Sequence, residues 1–131
     1  MNRLNFIKNT TLLSGVGLLS PSHFAFGSSS KIIGSNEKIK FGTIGLNNMG
    51  WHDSMRLLRV PNVELVAICD VDKNILEKRN YELKKSGIKV KVFSDYRNLL
   101  EDRDIDAVLI GTPDHWHPMM MIHASENGKH V

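Results

Sequence analysis

The sequence predicts an α/β fold, a doubly wound parallel sheet with helices on both faces. Two observations carry this prediction. Short apolar runs, of the kind found in strands covered on both sides, alternate with helix-patterned stretches along residues 38–131. The first run enters the turn Gly45-Leu46-Asn47-Asn48-Met49-Gly50, and the second ends on an acid, Asp70. Alternation of this kind implies parallel strands joined by right-handed crossovers.

The elements follow in order. Strands are expected at about 38–45, 63–69, 90–93 and 107–111, with a fifth beginning near Lys129. Leu65-Val66-Ala67-Ile68 and Ala107-Val108-Leu109-Ile110 are the clearest runs, and Val90–Phe93 is less clear. After the first strand, Trp51, Met55 and Leu58 recur at i, i+4 and i+7, one face of a helix. Ile75, Leu76, Arg79 and Leu83 form a stripe on a charged second helix, and Tyr96, Leu99 and Leu100 share one side of a short third. Pro118 suits the first turn of a fourth helix. That helix carries Met121, Ile122 and Ser125 and stops at Gly128, a favourable C-terminal residue. Met119, Met120 and Met121 point in different directions on such a helix, so core filling and partial exposure are expected rather than one sulfur cluster.

Residues 1–27 stand apart from this pattern. Arg3 and Lys8 precede the apolar Thr11–Leu19 segment, no charge returns until Lys31, and Ala25-Phe26-Gly27 offers a small-x-small cleavage site. That order is expected of an export signal; a tail or a short amphipathic helix is the alternative. The apolar part is shorter than the roughly 20 residues of a membrane span. Arg3-Leu4-Asn5-Phe6-Ile7-Lys8 is similar to a twin-arginine signal except that Leu4 stands where a second arginine is usual, so a twin-arginine or a general secretory route to the periplasm is expected. Residues 28–37, in the Gly/Ser-rich stretch that follows Gly27, read as a linker, and 38–131 as the folded part.

The charge balance narrows the partners. The chain has 17 Lys+Arg and 14 Asp+Glu. Residues 1–27 carry two bases and no acid, which leaves the remainder near +1, 15 bases against 14 acids. A near-neutral body argues against nucleic acid, whose phosphates need clustered bases. Lys84, Lys85, Lys89 and Lys91 read as a solvated face. With Cys69 as the single cysteine, neither an intrachain disulfide nor a cysteine metal site is available.

The chemistry concentrates at three places. In the turn after the first strand, Gly45 permits a sharp bend and Gly50 permits the helix to pack against the strand. Backbone N–H groups between them and the helix N-terminus suit a pyrophosphate without a basic side chain. Asn47 stands where a middle glycine is usual; asparagine tolerates a left-handed backbone, and its side chain either narrows the approach of the phosphate or contacts it. Asp70 lies about 20 residues beyond Gly50, the separation expected of a ribose-binding carboxylate in a dinucleotide site. Its alternative role is a helix N-cap, which Asp72 could serve equally. A carboxylate there repels a 2′-phosphate and no arginine follows immediately, so NAD is expected over NADP.

The third place is Gly111-Thr112-Pro113-Asp114-His115-Trp116-His117-Pro118, at the carboxyl end of the fourth strand, where ligands of such sheets bind. Asp114 and the imidazoles can handle protons near neutral pH. His115 and His117 with His123 and His130 invite a metal reading. Their spacing does not match the helical pair of a zinc protease, and no metal is expected.

Together these residues resemble the glucose–fructose oxidoreductase, inositol dehydrogenase and MocA family. The resemblance is carried by Gly-x-Asn-x-Met-Gly, Asp70, Asp95-Tyr96, the Thr-Pro-Asp-His-Trp-His loop and Gly128-Lys129-His130-Val131, and covers roughly Lys38 to Val131. It implies a Rossmann-type sheet binding NAD or NADP through Gly45, Asn47, Asn48, Met49, Gly50 and Asp70. Thr112, Pro113, Trp116 and His117 would line the nicotinamide side, with His117 as an accessory to catalysis. It also implies a following α+β domain that binds a sugar or polyol, hydride transfer to or from a substrate carbon, and a homo-oligomer as one form of the longer enzyme. The family's proton-handling lysine sits in a Glu-Lys-Pro motif just past Gly-Lys-His-Val. No catalytic lysine of that motif is expected within residues 1–131, which read as the front part of a longer enzyme. A glycosidase that uses NAD transiently, or an NAD-binding fragment without turnover, are the alternatives.

Overall fold

The structure, a computed structural model, describes residues 38–131. The expected export segment (1–27) and linker (28–37) lie outside the described residues. Four strands form one parallel sheet: β1 (Ile39–Ile44), β2 (Val63–Cys69), β3 (Lys91–Phe93) and β4 (Ala107–Ile110). Their spatial order is β3-β2-β1-β4. The order reverses beside β1, which creates the crevice at which such sheets bind ligands. His130 adds a single parallel bridge to Ala107 where a fifth strand is expected.

The crossovers are α1 (Asn48–Leu57), α2 (Lys73–Lys85) and α3 (Tyr96–Glu101); α4 (His117–Glu126) follows β4. A 3-10 turn, Asp114–Trp116, precedes α4, a feature the apolar spacing does not signal. Pro118 falls in the first turn of α4, where its missing N–H leaves no bond unmade.

Two apolar cores sandwich the sheet. Ile44, Ala67, Cys69 and Val108 face Tyr96, Leu99, Leu100, Met120 and Ala124. Phe41, Leu65 and Ile68 face Trp51, Leu76 and Leu83 on the other side. Of the three consecutive methionines only Met120 is buried. Lys84, Lys85, Lys89 and Lys91 are exposed, and Lys91 pairs with Asp102 (2.7 Å) and Asp104 (3.0 Å). Among the described residues, no helix is long and apolar enough to cross a membrane.

Lys129 fastens the end of α4 to the connection between α3 and β4. Its Nζ donates to the carbonyls of Asp102 (2.7 Å) and Ile105 (2.8 Å), and burial pulls its pKa below the usual lysine value. Lys129→Met keeps the apolar stem and strands both carbonyls. We expect it to destabilise the fold by about 2 kcal/mol, read as a lowered denaturant midpoint with unchanged slope. An unchanged midpoint would show that water replaces the ammonium freely.

Candidate functional site

The chain leaves β1 through Gly45, whose φ of +89° is accessible to glycine at little strain. A Cβ on Gly45 would also sit 2.7 Å from the Gly111 carbonyl oxygen. Gly50 lies in the first turn of α1, where a Cβ would overlap the Gly45 carbonyl oxygen and approach Gly111 Cα to 3.1 Å. A Cβ on Gly111 would in turn overlap Gly50 Cα. Three glycines thus pack backbone against backbone and bring the ends of β1 and β4 to the mouth of α1. Gly111 is the member the sequence pattern did not single out for this role, because nothing in its spacing ties it to Gly50.

Asn47 is extended (φ −91°, ψ 155°) and caps α1, its Oδ1 accepting from the Asn48 N–H at 3.0 Å. The left-handed residue is Asn48, with φ +35°, which corrects the expectation for Asn47. The cap fixes Asn47 in the extended region, so the bend moves one residue on. Asn47, Asn48 and Met49 are exposed. The first turn of α1 has no acid, so its partial positive charge is free to face an anion.

Asp70 follows β2 and ties the turn to the second strand. Its Oδ2 accepts from Leu46 N–H at 2.7 Å, and its Oδ1 from Asp72 N–H at 3.0 Å. The cap of α2 is Asp72, which accepts from Asn74 N–H at 2.8 Å. Each carboxylate oxygen of Asp70 still has acceptor capacity for a hydroxyl. At the carbonyl of the same residue, Arg79 Nε donates to Leu46 O at 3.3 Å. The Arg79 guanidinium lies 4.5 Å from the centre of a Trp51 ring and pairs with Glu82 at 2.8 Å. Leu46 is therefore gripped at both its N–H and its carbonyl. Arg79 and Trp51 read from the sequence only as members of helix stripes.

A cavity of about 510 Å³ opens at the carboxyl ends of the strands. Gly45, Asn47, Asp70, Thr112, Pro113 and Trp116 all line it. Asn48, Met49 and Gly50 adjoin it through the turn without lining it. The cavity also draws in Cys69, Ser94, Asp95 and Arg97, none of which the sequence reading assigned to the site as side chains. The Cys69 thiol is pushed up to about 12, chiefly by burial and then by the charges of Asp70 and Asp95. It is a packed, protonated wall residue, not a nucleophile.

The histidines part company. His117 Nε2 bonds to the Thr112 carbonyl at 2.7 Å, and the ring borders a second groove with Leu57, Val108, Ile110 and Val131 instead of the Asp70 cavity. Its contact fixes the Thr112 end of the loop. His115 is exposed and tilted against Trp116, and His123 Nδ1 meets the Tyr96 hydroxyl at 2.9 Å. Among the described residues, no three of His, Cys, Asp or Glu gather as a metal-holding group.

The donor set and the close glycine packing fit a dinucleotide: a tight glycine turn, a helix mouth with no acid in its first turn, and a carboxylate held beside both. Comparison with known proteins gives the same direction. A family model described as "Oxidoreductase family, NAD-binding Rossmann fold" matches residues 39–131. A glycosyl hydrolase family 109 protein of Shewanella baltica is 35% identical over 98 residues, covering 71% of this chain and 21% of the relative. An alpha-N-acetylgalactosaminidase of Shewanella oneidensis is 34% identical over 100 residues, 72% of this chain and 22% of the relative. The structure is similar to that of scyllo-inositol dehydrogenase from Lactobacillus casei with bound NAD(H) and scyllo-inositol. There the TM-score is 0.65 and the identity 30%, over 72% of this chain and 27% of that one. The chain spans between a fifth and a third of the length of these relatives.

Proposed function

The chain belongs to the glucose–fructose oxidoreductase, inositol dehydrogenase and MocA family of oxidoreductases, and on that premise we propose that the protein transfers hydride between a carbinol carbon of a sugar or polyol and nicotinamide. Residues 39–131 are the family's NAD-binding Rossmann domain. The observation that carries the proposal is the hydrogen bond from Leu46 N–H to Asp70, which welds the glycine turn to the ribose-side carboxylate across one cavity.

In this reading each residue has a physical task. Backbone N–H groups at the mouth of α1 bind the pyrophosphate, other than those of Gly45, Leu46 and Asn48, which the Cys69 carbonyl, Asp70 and Asn47 hold. Asp70 accepts from the adenosine ribose hydroxyls. Thr112, Pro113 and Trp116 form a wall that excludes water, and His117 holds that wall in place through the Thr112 carbonyl. NAD, when bound, supplies the hydride acceptor. A sugar or polyol is the proposed substrate of the whole protein, with scyllo-inositol dehydrogenase as the supporting neighbour.

A second reading is glycoside hydrolysis with no net redox change, favoured by the family 109 relatives and by the one named alpha-N-acetylgalactosaminidase. One experiment separates the two. The full-length protein is incubated with NAD and either a set of polyols and sugars or a set of aryl glycosides. Sustained NADH formation supports the first reading, and aglycone release without net NADH supports the second. No turnover in either arm by a protein that binds NAD would overturn both.

A further inference from the structure

The cavity described above contains an arginine that the sequence does not place there. Phe93 pairs with Cys69, and Asp70 N–H reaches the Phe93 carbonyl at 3.4 Å. Parallel neighbours run about 4.8 Å apart, so the residues following Phe93 leave the sheet beside Asp70. Those residues are Ser94, Asp95, Tyr96 and Arg97, and all four line the cavity. A free arginine at the ribose end of such a site would welcome a 2′-phosphate.

Arg97 is not free. Its guanidinium reaches both carboxylate oxygens of Asp95, at 3.4 and 3.3 Å, and lies 4.9 Å from the centre of the Tyr96 ring. Asp95 also caps α3, its Oδ1 accepting from Arg97 N–H at 2.9 Å. We infer that Asp95 is a second selector of the nucleotide: it stands with Asp70 at the ribose end of the cavity and neutralises Arg97, so that a 2′-phosphate meets two carboxylates and no uncommitted cation. This rests on the dinucleotide reading and deepens it.

The charge count agrees. Asp70, Asp95 and Arg97 are the charged residues lining the cavity, for a net charge of −1. Both carboxylates also act on the same wall atom, since each raises the pKa of Cys69. The Asp95–Arg97 pair is half exposed, at 45% and 59% of the side chains. Such a pair adds little to stability. Its consequence is the charge that an incoming phosphate encounters.

Asp95→Asn tests this cleanly, because asparagine caps a helix as well as aspartate does and only the charge is lost. NAD and NADP are titrated calorimetrically into the full-length protein, its Asp95→Asn variant and the Asp95→Asn/Arg97→Gln double variant. Removing one charge within several ångströms of a 2′-phosphate, and releasing Arg97, should shift the NAD-over-NADP preference roughly tenfold toward NADP. NAD affinity should stay within about twofold of the original, since a neutral ribose gains little from a charge change at this distance. The double variant should lose most of the shift. An unchanged preference in Asp95→Asn would overturn the inference and leave the dinucleotide reading intact, as would an equal loss of both nucleotides. A shift that persists fully in the double variant would overturn the part assigned to Arg97. A wild-type protein that binds neither nucleotide would overturn both readings.

Discussion

Alanine at position 50 is expected to remove nucleotide binding. The added Cβ would overlap the Gly45 carbonyl oxygen and press on Gly111 Cα and its carbonyl oxygen, at 3.1 and 3.2 Å. All of these are backbone atoms at the junction of β1, α1 and β4, so no flexible side chain can yield. Alanine is the better helix former by about 1 kcal/mol, which works in the opposite direction. Overpacking of this kind costs about 1–3 kcal/mol or more, and relief requires α1 to move away from the turn. Moving α1 carries its N–H groups off the proposed pyrophosphate position. NAD affinity of the full-length protein should fall by roughly 100-fold or more, the scale of two lost charge-assisted hydrogen bonds.

Gly87→Ala is the matched control. Gly87 has φ +78° with nothing within 4 Å of the added Cβ, and it lies just past the C-terminal end of α2. It should lower stability by about 1 kcal/mol through strain at positive φ and leave NAD affinity unchanged. Wild-type affinity in Gly50→Ala, measured by calorimetry, would mean that the turn relaxes cheaply and the pyrophosphate does not bind there.

Asp70→Ala is the second large effect. The side chain acts twice, as the acceptor that holds Leu46 N–H at 2.7 Å and as the proposed ribose anchor. Its removal leaves the Leu46 N–H without its acceptor, while Arg79 still holds the carbonyl of the same residue. Hydrogen bonds to a charged group contribute about 1.5–3 kcal/mol each, so NAD affinity should drop roughly 10- to 100-fold. NADP should lose less, because the repulsion of its 2′-phosphate is relieved at the same time. Equal NAD affinity in wild type and variant would remove Asp70 from the site. An equal loss for NAD and NADP would reduce it to a structural anchor of the turn.

Much of the fold was legible in the chain. β2 has the expected limits, and β1, β3 and β4 fall within one residue of theirs at each end. Trp51, Leu76, Leu83, Tyr96, Leu99 and Leu100, read from helix spacing, are all buried. These features depend on the identities of neighbours a few residues apart, which the sequence displays directly. Other local assignments did not hold in detail: on α4, Met121, Ile122 and Ser125 are exposed, and Met120 and Ala124 face the core instead. The left-handed position moved from Asn47 to Asn48 because Asn47 became the cap, and the 3-10 turn before α4 gave no apolar pattern to read.

Spacing and residue type by themselves determined that this is a parallel α/β chain with a glycine turn after its first strand and an acid after its second. Only the tertiary structure decided which distant groups share the cavity. Gly111 meets Gly50, Arg79 reaches Leu46, His117 turns to a separate groove, and Asp95 with Arg97 arrives beside Asp70. The physical reason is the crossover connection. Parallel strands adjacent in the sheet are separated in the chain by a helix, so contacts at their carboxyl ends are set by strand order and register, which no local pattern of side chains encodes.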